Sequence, residues 1–238
     1  VIKKLIPNIE KKINDSFINF KSMINLAKTF NYDFLDMEAL ESYKTHILIQ
    51  TNLIKEAESM KRMKENFKMN PNINIPQVFF FSKEMIEMEF VEGEKLEDFL
   101  KKNPERLTEC NKLLEKCLKV MINNKFIHGD LHPGNILYSV ENGQSSVDSE
   151  TAGIVKLELI DFGIADELPK AVRNKFLGFL CFLLRGEGEK AADVALTWDA
   201  KQTCTDRVAL RRDMARLVSS QGDVYTQRVD LDGLLKEI

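Results

Sequence analysis

Apolar residues recur at three- and four-residue steps through Ile9, Ile13, Phe17, Phe20, Ile24 and Ala27, the spacing of one face of an α-helix. Ahead of them VIKKLIP reads as a short strand stopped by Pro7. A second helical pattern starts after Asp36, a residue suited to an N-cap, and runs to about Phe67. It carries Ile49, Leu53, Met60, Met63 and Phe67 on one stripe, and Glu56 falls on that stripe where an apolar residue belongs. Burying a lone carboxylate costs several kcal/mol. Either Glu56 sits at a helix edge and reaches water, or a cation stands opposite it.

The segment PQVFFFSKEMIEMEFVEG predicts two strands with a turn near Ser82 and Lys83. Ile86, Met88 and Phe90 face one way, Glu87, Glu89 and Val91 the other, and Gly93 ends the run. Two helices follow, Lys95 to Lys102 and roughly Glu105 to Asn124, the second with Leu113, Leu114, Cys117, Leu118 and Met121 inward. Short apolar runs, KFI and NILY, then flank a polar centre. SVENGQSSVDSETAG has the composition of an exposed loop, and IVKLELIDFG alternates again and ends in a glycine. From Pro169 the pattern is helical, including Pro169 to Leu184 and Asp206 to Val218. Helices mixed with short strands make an α+β protein.

Composition narrows the classes. The 238 residues are 44% hydrophobic and 30% charged, which is ordinary for a globular chain. A net charge of −3 gives no electrostatic reason for a nucleic-acid partner, and none is expected. No apolar run approaches the roughly 20 residues that span a bilayer; the longest, FLGFLCFLL, ends at Arg185. The four cysteines form no CxxC pair, which suits a reducing compartment. The chain starts at Val1 and reads at once as structure, so a fragment of a longer protein is expected, with any targeting signal outside it.

The chemistry concentrates in HGDLHPGNILY, His128 to Tyr138. On a strand, His128, Asp130 and His132 would face one way as metal ligands do, but Pro133 and Gly134 break any strand there, and the third histidine, His46, lies in a helix with no ligand partner near it in sequence. A turn with a satisfied histidine is a second reading of equal weight, with His128 bracing the loop and His132 capping a turn. The alternative is phosphoryl transfer. It needs an aspartate to orient the acceptor hydroxyl, a nearby metal ligand, and a second aspartate on a separate strand end. HxDxxxxN supplies Asp130 and Asn135, and LIDFG supplies Asp161 where a strand meets a glycine. Each motif alone is weak; the combination favours the phosphotransferase.

Further segments carry a family resemblance. MEFVEG resembles the hinge of a protein kinase, whose backbone bonds adenine, and Glu56 resembles the helix glutamate that pairs with a strand lysine, here Lys3. HGDLHPGN has glycine where most protein kinases have arginine, as in aminoglycoside and choline kinases and in the UbiB family of atypical kinases (the ADCK proteins of eukaryotes). KKLIPNIEKKI, LIKEAESMKRMKENF, INIPQVF, MEFVEGEKLEDF, IDFGIADELPKAVRNKFLGFLCFLLRGEGEKAADV, DRVALRRDMARLV and DLDGLLKEI are similar to UbiB segments over nearly the whole chain.

The resemblance implies a kinase-like two-lobed fold, with a partial N-lobe over 1–91 (strand, glutamate helix, two strands, hinge) and a helical C-lobe over 92–238. It implies ATP and Mg²⁺ as cofactors. Asp130 would be the acceptor-orienting base, Asn135 and Asp161 the metal ligands, Lys3 and Glu56 the phosphate-positioning pair, and Glu89 and Val91 the adenine contacts through a carbonyl and an amide. ATPase or small-molecule phosphotransfer tied to coenzyme Q or prenyl-lipid metabolism would follow, with a prenyl-quinone precursor or lipid as partner, peripheral membrane or biosynthetic-complex association, and a mitochondrial location in a eukaryote. A nucleotide- or lipid-binding pseudokinase scaffold and a choline- or aminoglycoside-type kinase are the alternatives. The chain departs from the family in three places. The KxGQ extension and alanine-rich nucleotide loop would precede Val1, so little turnover is expected of the chain from Val1 onward. Gln50-Thr51-Asn52 stands where an acidic E-x-D is usual, and the insertion from Ser139 to Gly153 is long.

Overall fold

A computed structural model describes residues 1–30, 37–141, 153–198 and 203–220. In chain order, β1 (Ile2–Lys4) leads to α1 (Ile9–Thr29), α2 (Met37–Ile49), α3 (Leu53–Phe67), β2 (Ile73–Asn74), β3 (Val78–Phe81), β4 (Met85–Met88), β5 (Glu94–Lys95) and α4 (Leu96–Lys102). A 3-10 turn, Pro104–Arg106, precedes α5 (Leu107–Asn123), β6 (Phe126–Ile127), β7 (Ile136–Glu141), β8 (Ile154–Leu159) and β9 (Asp166–Glu167), and the described chain ends in α6 (Lys170–Leu184), α7 (Gly188–Ala195) and α8 (Arg207–Ser220). The architecture is α+β.

Two compact units interleave along the sequence: Val1–Pro104 with His128–Asp166, and Glu105–Ile127 with Glu167–Ile238. The first holds every residue singled out above for chemistry. Its β1-β4-β3 sheet is antiparallel, with Lys3 opposite Ile86. Its second sheet runs β2-β8-β7-β5, where β7 and β8 form an antiparallel pair that sets Leu137 opposite Glu158, and β2 joins β8 in parallel. Val155, Leu157 and Leu159 of β8 are fully buried. Helix α3 lies against β3 and β4 and buries Leu53, Ala57, Met60, Met63 and Phe67, the stripe expected from its period. Helices α1 and α2 close a smaller cluster of Phe17, Ile24 and Leu40, flanked by Ile13, Met37 and Ile47.

The long second helix expected from Asp36 to Phe67 is two helices. The break falls at Gln50-Thr51-Asn52, where the Asn52 side chain accepts the Lys55 N–H at 3.0 Å and caps α3. An asparagine at this point supplies an N-cap acceptor that an unbroken helix has no use for. Asp36 itself lies outside the described residues, as does most of the polar insertion, whose first residues, Ser139 to Glu141, complete β7. In the second unit, α6 packs on α7 and α7 on α8. Helix α5 buries Cys110, Leu113, Cys117 and Met121, while Leu118, expected inward, is 39% exposed. Among the described residues no helix is long and apolar enough to cross a membrane.

Candidate active site

The acid that interrupts an apolar stripe is buried, 1% exposed, and paired. The Lys3 amine donates to both Glu56 oxygens, at 2.7 and 2.9 Å, and lies 3.2 Å from Asp161 Oδ1. Strand β1 delivers the lysine, α3 the glutamate, and the end of β8 the aspartate, so three residues distant in sequence meet. The alternative in which Glu56 reaches water at a helix edge is excluded. Burial pushes the Glu56 carboxyl above its ordinary range, against the pull of Lys3. Burial alone would lower the Lys3 amine, but Glu56, and then Asp161, hold it above its ordinary value.

Asp161 sits at φ 61°, in the left-handed region that few residues other than glycine adopt. Aspartate is among the better tolerated there because its short side chain bonds locally, and Asp161 Oδ1 accepts the Gly163 N–H at 3.4 Å. The carboxylate that this turn presents beside the Lys3 amine is half-exposed.

The loop from His128 to Asn135 is held by bonds of its own. His128, 1% exposed, donates from Nε2 to the Ile160 carbonyl at 3.0 Å, accepts the Asp130 N–H on Nδ1 at 3.4 Å, and packs on the Phe162 ring with centroids 4.7 Å apart. It braces the loop against the segment that carries Asp161. Gly129 is at φ 77°, and a Cβ there would meet the Ile164 carbonyl oxygen at 2.5 Å. The close approach explains glycine where an arginine would otherwise stand. Asn135 donates its amide nitrogen to the Asp130 carbonyl at 3.0 Å, and its own carbonyl accepts the Ile160 N–H, also at 3.0 Å. The Asn135 side-chain oxygen is a hard donor of the kind Mg²⁺ takes, and Asp161 supplies a carboxylate. Asn135 and Asp161 fit such an ion by donor type. The His128–Asp130–His132 metal reading fails, since His128 spends both ring nitrogens on the backbone, and among the described residues no three acidic, histidine or cysteine side chains converge as a cage.

Burial lowers the affinity of His128 for a proton, so the folded state keeps it neutral. Its contribution to stability is present above the unfolded value of about 6.5 and is lost as pH falls below that. Thermal melts from pH 8 to 5 are expected to show this decline, with a shallower slope in His128→Asn. Equal slopes would mean that His128 does not titrate on unfolding.

Glu89 and Val91 follow β4. The Glu89 N–H donates to the Gln77 carbonyl at 2.8 Å, and its carboxylate accepts the Gln77 N–H at 2.9 Å with Lys64 at 3.8 Å. The side chain is thus engaged by its own neighbours. Among the described residues no main-chain bond uses the Glu89 carbonyl or the Val91 amide. Sequence reasoning missed two residues that fasten the segment after Asp161 to α3: Lys55, 2.7 Å from Asp166, and Ser59, whose hydroxyl lies 3.5 Å from the Ala165 carbonyl. The signal was available, because Lys55 and Ser59 are four apart and Lys55 adjoins Glu56.

Residues 1–195 match the ABC1 atypical kinase-like domain. The chain is 22% identical to a probable serine/threonine-protein kinase, abkC, of Dictyostelium discoideum, over 95% of this chain and 41% of that protein. It is 30% identical to a probable protein kinase UbiB of Edwardsiella ictaluri, over 62% of this chain and 27% of that protein. Matching relatives from Arabidopsis thaliana and Saccharomyces cerevisiae are named as chloroplastic and mitochondrial. The chain spans less than half the length of these curated relatives. Among solved structures, the Rv3197–erythromycin complex of Mycobacterium tuberculosis superposes with a TM-score of 0.57 at 14% identity, over 95% of this chain and 54% of that one.

Proposed function

Because this chain belongs to the ABC1 atypical kinase-like family, which includes the UbiB relatives, we propose that it binds ATP with Mg²⁺ and supports ATP hydrolysis or phosphoryl transfer to a small molecule. The observation that carries the reading is the meeting of Lys3, Glu56 and Asp161 in one bonded group. In this reading Glu56 holds the Lys3 amine ready for phosphate oxygens. Asn135 and Asp161 hold the ion, which when bound offsets the negative charge of the phosphates. The Asp130 carboxylate accepts the proton of the attacking hydroxyl. The Glu89 carbonyl accepts from the adenine amino group and the Val91 amide donates to the ring.

A phenolic prenyl-quinone precursor or lipid, in coenzyme Q or related prenyl-lipid metabolism, suits a UbiB-type protein, and the mitochondrial and chloroplastic names among relatives support an organelle in a eukaryote. Association with a membrane surface or a biosynthetic complex belongs to the same proposal.

Calorimetry of ATP with and without Mg²⁺, followed by phosphate release with and without a prenyl-phenol analogue, tests it. Mg²⁺-dependent binding is expected of the chain from Val1 onward, and release above the uncatalysed rate of a version extended before Val1. No nucleotide binding in either condition overturns the reading. Tight binding with no release under any lipid favours a nucleotide-binding scaffold.

A further inference from the structure

Resting on the phosphotransfer reading, we propose that His132 is a positioning residue that orients the Asp130 carboxylate toward the acceptor hydroxyl. The His132 ring is fixed more firmly than its exposure suggests. Its backbone N–H donates to the Asp130 carbonyl at 2.9 Å, and its carbonyl accepts the Asn135 N–H at 2.9 Å. Its Nδ1 accepts the Gly134 N–H, also at 2.9 Å. A Cβ on Gly134 would lie 2.6 Å from ring Cε1 and 2.9 Å from Nδ1, so only glycine lets the imidazole lie across this turn.

The Nδ1 bond decides the tautomer. An imidazole nitrogen that accepts a backbone N–H carries no proton, so the neutral ring is protonated on Nε2. That nitrogen is 3.8 Å from Asp130 Oδ2. The separation is longer than a hydrogen bond, as donors in ligand-free sites often are before substrate tightens them. An N–H that closes on Oδ2 selects one carboxylate oxygen and leaves Oδ1 for the acceptor hydroxyl. A turn cap alone would need only Nδ1, and asparagine supplies an acceptor at that position.

Two substitutions, made in a version extended before Val1, separate the roles. His132→Asn keeps an acceptor for the Gly134 N–H and loses the donor at Nε2; His132→Gln places an amide near Nε2 and gives up the cap. The expected result is a kcat for ATP turnover about tenfold lower in His132→Asn, with KM for MgATP and the melting temperature unchanged, and recovery of most of kcat in His132→Gln. Wild-type kcat in His132→Asn, or equal losses of kcat and stability in both variants, overturns the proposal. The tautomer is read separately, without nucleotide, from long-range ¹⁵N–¹H correlations of the ring. An Nε2–H pattern that shifts in Asp130→Asn supports the contact, and an Nδ1–H pattern, or one indifferent to Asp130, removes it. Absence of ATP turnover in the wild-type extended version counts against the phosphotransfer reading, and the ring spectra then decide the contact.

Discussion

Asp161→Asn is expected to abolish the Mg²⁺-dependent rise in melting temperature that ATP confers, while Asp130→Asn leaves that rise largely intact. Asparagine has the shape of aspartate and tolerates the left-handed backbone at φ 61°, so the turn survives the substitution. Lys3 keeps its two bonds to Glu56, and the ligand-free protein should melt close to the wild type. What is lost is the negative charge that a hard divalent ion requires. Asp130 differs, because its proposed work is on the acceptor and begins after nucleotide is bound. Differential scanning fluorimetry with ATP, with and without Mg²⁺, reads both variants. A full Mg²⁺-dependent shift in Asp161→Asn would remove that residue from the metal site.

Lys3→Met should destabilise the protein by about 2–3 kcal/mol at pH 7, because it leaves the Glu56 carboxylate buried without its cation. The estimate is below that for a fully buried pair, since the Lys3 side chain is 34% exposed and its charge is partly screened by water. The loss should depend on pH in a fixed direction. Burial already raises the Glu56 carboxyl, and without the amine its neutral form is favoured further. The folded state then holds a proton that the unfolded state releases near its ordinary value of about 4.3, so stability is greatest in acid and falls as pH rises through the folded value. Urea unfolding at pH 5 and pH 8 should show the deficit against the wild type narrowing toward pH 5. Lys3→Met combined with Glu56→Leu should recover most of the loss. A deficit that is constant with pH, and no rescue by the second substitution, would show that the pair contributes nothing specific.

Residue pattern and tertiary placement divide this protein between them. Sequence was sufficient wherever a local rule operates. The stripe of α3, the turn at Ser82 and Lys83, and the alternation of β8 from Ile154 to Leu157 follow from period and turn chemistry, and each is present. The candidate site residues can be named from sequence for a related reason: HxDxxxxN and DFG are each short motifs of residues close in the chain. Glu56 announced itself as an acid in an apolar row. Its environment did not, because a helix period gives a direction and says nothing of what stands there. That required β1 to pair with β4 and bring Lys3 within reach.

The same limit explains the misses. Thr51 and Asn52 continue an amphipathic pattern acceptably, and only the geometry of α3 makes Asn52 a cap and a boundary. Leu118 is apolar at an inward-looking step of α5 yet is 39% exposed, because a helix period does not say how wide a stripe its neighbours cover. Glu158 stands between two buried residues of β8 and is itself only 6% exposed, because β2 joins β8 beside it and sets Asn74 against it. Hydrophobic period and motif spacing are properties of neighbours along the chain, and they determined the elements, the loop and the residues that carry charge. Which carboxylates are buried, which are paired, and which histidine nitrogen holds the proton depend on strands and helices far apart in sequence, whose contacts exist only once the chain has folded.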